Sequence, residues 1–147
     1  MENKKGQSLF EVVLALAVIT AVIVAIIILA TNTIRNANFS KTKTEATRYA
    51  QEATEWLRGE RDADFDTFRT NALSINWCFT TLSFGPSQLG LCSEGEVIPG
   101  TQLRREATFS EITATSIDKA EVRVYWSDAQ GTHEVKTITS FTDWSAQ

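Results

Sequence analysis

One histidine, His133, stands in a chain of 147 residues, and only two cysteines, Cys78 and Cys92, accompany it. That scarcity excludes a zinc site of the usual kind, which needs four Cys or His ligands in close spacing. It also leaves no nucleophile–base–acid set to be read along the chain. No phosphate-cradling glycine loop is present, so the chain reads as a non-enzyme with no cofactor and no metal. His133 falls in a strand pattern, where a lone histidine reads as a surface or packed residue. Prolines are equally few. Pro86 and Pro99 are the only two, and both lie within residues 83–101 beside four of the seven glycines. That stretch reads as a loop.

A larger absence organises the first third of the chain. From Gln7 to Arg58 there is neither glycine nor proline. Such an interval permits one helix of unusual length, about 75 Å at 1.5 Å per residue. From Val12 to Ala30 the only polar side chain is Thr20. With Leu9 and Phe10 added, the run matches the roughly 20 residues needed to cross a bilayer core. It is apolar all round, so lipid or other helices must surround it. The pattern then narrows to a stripe of Ala46, Tyr49, Ala50, Ala53, Trp56 and Leu57, the spacing of one buried helical face. Asn32, Asn36 and Asn38 weaken the helix between these halves, yet a continuous helix is expected, with its stop at Gly59. The expected segments are a leader at 1–6, a membrane or assembly half at 7–30, an amphipathic half at 31–58, and a globular domain at 59–147.

Excess positive charge is also missing. The net charge is −4, and the region after residue 30 is acidic overall. General nucleic-acid binding, which wants a basic face, is not expected. Arg104, Arg105 and Arg123 read as parts of a solvated sheet face. The alternating Asp62, Asp64 and Asp66 lack the glycine and final glutamate of a calcium loop and read as a solvated acidic turn. Cys78 and Cys92 share one short loop, where an exported domain forms a disulfide and a domain kept reduced holds two free thiols. Ile75, Trp77 and Phe79 alternate on one face of a short strand. Later strands set Leu103, Ala107 and Phe109, then Ala120, Val122, Val124 and Trp126, then Val135, Thr137, Thr139 and Phe141 to one side. An antiparallel meander with one buried face follows, covered by the helical stripe. The expected class is α+β.

What remains unexplained is Glu11, a carboxylate three positions into the apolar run that opens at Leu9. At the centre of a membrane helix it would cost roughly 2.5–3.5 kcal/mol on insertion scales. A secretory signal peptide, with Lys4 and Lys5 before the apolar core, does not account for it, and the run is long for one. A plain single-span anchor leaves it equally idle.

The stretch "KKGQSLFEVVLALAVI" resembles the N-terminal signature of type IV pilins and pseudopilins. Gly6 matches the residue before the cut in that family, and Glu11 the fifth residue after it. The resemblance implies cleavage after Gly6 by a leader peptidase of the cytoplasmic membrane, and N-methylation of the new first residue, Gln7. Gln7 stands where phenylalanine is commonest. The resemblance further implies that the freed amine pairs with Glu11 of a neighbouring subunit, making Glu11 the assembly register. Gln7 and Glu11 are i and i+4, on one helix face, so the two charges can meet. The partners implied are the peptidase, the membrane, the inner-membrane assembly machinery and other pilin subunits. Beyond Ala30 the resemblance is one of architecture, and "VRVYWSDAQGTHEVKTITSFTDW" looks like the final hairpin of minor pilins of the PilV type. The implied protein begins as a single-pass precursor in the inner membrane and ends in a surface pilus or pseudopilus. A single-span protein with an adhesive or ligand-binding outer domain is the alternative.

Overall fold

The structure is a computed structural model that describes residues 5–143, with side chains from Leu9 onward. The chain divides into two compact units, Met1–Lys41 and Thr42–Gln147. Helix α1 spans Lys5–Ala63, and helix α2 spans Phe65–Ala72. Strands β1 (Asn76–Cys78), β2 (Arg104–Ile112), β3 (Ser116–Asp128) and β4 (Gly131–Thr142) follow, with one 3-10 turn at Pro86–Gln88. The first unit is helix throughout residues 5–41. Residues 31–40 are helical despite their three asparagines, and the Thr31 and Thr33 hydroxyls donate to the Ile27 and Leu29 carbonyls.

The second unit is α+β. Its four strands lie in the order β1-β2-β3-β4, each antiparallel to the next. The helical segment from Ala46 covers one face of the sheet. Ala46, Ala50, Ala53 and Leu57 share a single core with Ala107, Phe109, Val122, Val124 and Phe141, and Tyr49 and Trp56 flank it. Small residues on the helix let its backbone approach the sheet, while aromatic side chains fill the rest. Phe68 meets Phe109 and Phe141 edge-on, at 5.9 and 5.1 Å between ring centroids.

Three expectations are corrected here. Gly59 does not stop α1, which continues to Ala63. Glycine in a helix interior costs only about 1 kcal/mol against alanine, and the turn beyond it is held by the Asp64 amide donating to the Glu60 carbonyl. The acidic stretch is solvated as expected, with Asp62, Asp64 and Asp66 exposed, but it is no simple turn: it joins the end of α1 to the start of α2. Asp64 caps that helix, its carboxylate accepting from the Asp66 and Thr67 amides, and Phe65, Phe68 and Ala72 face the core. Ile75 is not on the buried face with Trp77 and Phe79. It precedes β1 at φ 69° and is 52% exposed.

The Thr67 hydroxyl, and after it the Thr67 amide, holds the Asp64 carboxyl below its ordinary range. A lowered folded pKa contributes stability above the unfolded value near 3.8, and loses it as pH falls through the folded value. Asp64→Ala is therefore expected to lower the thermal midpoint at pH 7. The gap from wild type should close as the pH drops below 3.8, when melts are compared across pH.

Candidate functional site

Large apolar side chains from Leu9 to Leu29 are all exposed, without a described neighbour to cover them. By length and composition, the helix beginning at Leu9 is able to cross a membrane. Thr20 satisfies itself within that run, its hydroxyl donating to the Ala17 carbonyl at 2.9 Å. Glu11 does not. Its side chain is exposed and makes no hydrogen bond or ion pair with any described residue. Gly6 and Gln7 lie in the opening turn of α1, so Gln7 and Glu11 are one helical turn apart on one face. The Gln7 side chain and residues 1–4 of the expected leader lie outside the described residues.

Elsewhere the sheet domain holds the groups a different function would need to use. The disulfide joins Cys78, inside β1, to Cys92, with their Cα atoms 4.8 Å apart. The loop it closes folds back on β2, where the Glu106 carboxylate accepts from the Cys92 amide at 2.9 Å. Glu106 is 3% exposed and fully engaged. Arg123 donates to it at 2.7 Å and the Tyr125 hydroxyl at 2.9 Å. Burial, then the Glu106 contact, pushes the Tyr125 phenol up, and the hydrogen bond to Glu106 raises Arg123. These groups lock one another.

Arg105 was expected on the solvated face with Arg104 and Arg123, and this is corrected. It points into the core, 3% exposed, because it keeps the register of Leu103, Ala107 and Phe109. Its guanidinium donates to the Phe79 and Tyr49 carbonyls and pairs with Glu52 at 3.4 Å. Burial lowers its pKa, with Glu52 opposing. Arg105 thus ties the helix to the sheet. His133 sits on β4, 2.9 Å from Asp128 and packed near Trp126.

Among the described residues are two open clefts. One, of about 350 Å³, is lined by Arg104, Tyr125 and Trp126; the other, of about 360 Å³, by Asp62, Asp64 and Asp66. Neither brings a nucleophile to a base, and no three metal-ligating side chains converge among the described residues. The Glu11 carboxylate, without a partner among the described residues, is the group whose chemistry is left over. Compared with models of known protein families, with curated proteins and with solved structures, the chain matches none.

Proposed function

We propose that this chain is a prepilin-type structural subunit. It is inserted in the inner membrane by its apolar helix, cut after Gly6, methylated at Gln7, and added to a thin helical fibre. Within that class the reading is a minor subunit of a type IV pilus, or a subunit of a secretion or competence pseudopilus. The observation that carries it is Glu11, exposed on the apolar helix with no hydrogen bond or ion pair to a described side chain, where Thr20 donates to its own helix.

The chemistry is simple. Before cleavage the Gln7 nitrogen is a peptide amide and offers Glu11 no charge. Cleavage turns it into an amine, one turn from Glu11, so each mature subunit carries one cation and one anion at the end of an apolar rod. Subunits whose helices slide together in an apolar core can satisfy these charges only when amine meets carboxylate. A buried polar pair that fixes register is the best-attested use of such groups. The scissile bond falls in the opening turn of α1, so it must unwind to be cut. Glycine at position 6 lowers the helix propensity there by about 1 kcal/mol against alanine. The disulfide-tied sheet domain would sit outside the cytoplasm, where such bonds persist.

The test is the N-terminus of the mature protein. Mass spectrometry of chain recovered from membranes and from sheared surface fibres should show a start at Gln7. A chain that keeps Met1 or starts elsewhere, and is absent from fibres, would leave the anchored adhesive or ligand-binding domain in its place.

A further inference from the structure

Two edges bound the four-stranded sheet, and the chain treats them differently. The β1 edge is closed, since Leu89 bridges Trp77 and the Gly90 amide donates to the Asn76 carbonyl at 2.9 Å. The β4 edge is open. No described strand pairs beyond it along Gly131–Thr142. A long antiparallel edge presents a row of free backbone donors and acceptors, a template for another strand. Charged side chains, lysine above all, usually blunt such an edge. β4 does carry Lys136, but Glu134 stands two positions before it on the same outward face. Ile138 stands two positions after it, 60% exposed.

We propose that β4 pairs antiparallel with β4 of a second copy, about a two-fold axis through Val135, making one continuous eight-stranded sheet. Register follows from charge. A one-residue shift would set outward residues opposite inward ones, so the axis must pass through a residue. Centred on Lys136, that residue faces itself, and centred on Glu134 the glutamates do; like charges directly opposite are destabilising. Centred on Thr137, both charges face uncharged Ile138 and Ser140. Only the axis through Val135 sets Glu134 opposite the partner's Lys136, and symmetry supplies that pair twice.

The same register places Thr132 opposite the partner's Ile138, covering an exposed apolar side chain in each copy. Val135 meets its own symmetry mate. It is half-buried at the rim of the core, so this contact carries the apolar layer across the axis. The outward face already alternates in sign, with Arg123 to Glu134 at 3.6 Å, Lys136 to Glu134 at 3.3 Å and Lys136 to Glu121 at 3.4 Å. A second copy extends this network instead of breaking it. The pairing uses only the Thr42–Gln147 unit and does not depend on cleavage or fibre assembly.

The test uses the full chain in detergent micelles, with the native disulfide intact. Thr132→Cys and Ile138→Cys are both exposed positions and leave the core untouched. Neither variant alone should cross-link, because each new thiol lies about 20 Å from its own mate along the ladder. Their mixture, mildly oxidised, should give a covalent dimer. Adding Lys136→Glu to both should lower the dimer yield about tenfold, and further adding Glu134→Lys should restore it. A mixture that yields no more dimer than a Ser110→Cys control overturns the pairing. So does self-linking of Ile138→Cys, or indifference to the charge reversal.

Discussion

Glu11→Val is expected to leave processing and membrane residence intact while cutting incorporation into fibres by more than about a hundredfold. The membrane side of that expectation follows from cost. Removing a carboxylate from an apolar span makes insertion cheaper, so the precursor should accumulate at least as well as wild type. The fibre side follows from what stays behind. A neighbour's amine on Gln7, drawn into an apolar helical core, would then lack its anion. Breaking one side of a buried pair costs roughly 3–5 kcal/mol. Nothing nearby can replace it, since Thr20 already donates to the Ala17 carbonyl and every other side chain from Leu9 to Ala30 is apolar. Glu11→Gln separates charge from shape: it keeps the size and a carbonyl acceptor, and should recover only part of the loss. The measurement is the ratio of sheared-fibre to membrane fractions for each variant expressed beside wild type. Equal incorporation of valine and glutamate forms would remove the register role and leave the carboxylate without a purpose.

How much of this could be read from the residues depends on how local the determining force was. The apolar run, the helical stripe and strands β2 to β4 follow from periodicity, because one buried face dictates which positions must be apolar. Ala46 through Leu57 and Ala120 through Trp126 therefore fell on the core as expected. The failures share a cause. Arg105 sits at an inward position of β2, and its burial depends on carbonyls of Phe79 and Tyr49, 26 and 56 residues away. Its inward register was readable from Leu103 and Ala107; its partners were not. Helix α2 was hidden because three alternating aspartates outweighed the weaker spacing of Phe65, Phe68 and Ala72. The S/T/D-x-x pattern of a cap at Asp64 was the signal that could have found it. Ile75 defied the strand alternation because it precedes β1 in the left-handed region, at φ 69°, which turns its side chain off the face that Trp77 and Phe79 share. For the proposed assembly site, the position of Glu11 on an exposed apolar helix follows from sequence. Its partner does not, since one subunit contains no neighbour.

Removing the disulfide with Cys78→Ala and Cys92→Ala is expected to lower the unfolding free energy by about 3 kcal/mol, without changing the folded sheet. Cross-linking two residues separated by 14 positions restrains the unfolded chain most of all, so the loss is felt mainly there. The folded loop keeps other ties. Cys92 still donates its amide to Glu106, Gly90 to the Asn76 carbonyl, and Phe84 packs against Trp56 and Trp77 at 4.9 and 4.8 Å between ring centroids. Alanine is chosen over serine because Cys78 is buried, and a hydroxyl there would add an unpaired polar group of its own. The readout is urea unfolding followed by tryptophan fluorescence, with the chain in mild detergent. The midpoint should fall with the slope nearly unchanged, and wild type under reductant should fall with it. Two outcomes separate the physical causes. If the midpoints coincide, the Glu106 clasp and the aromatic packing hold the loop alone, and the cross-link contributes nothing to equilibrium stability. If the double variant loses the sheet in the absence of urea, the ties to Glu106 and Asn76 are consequences of the cross-link, and the loop cannot dock without it.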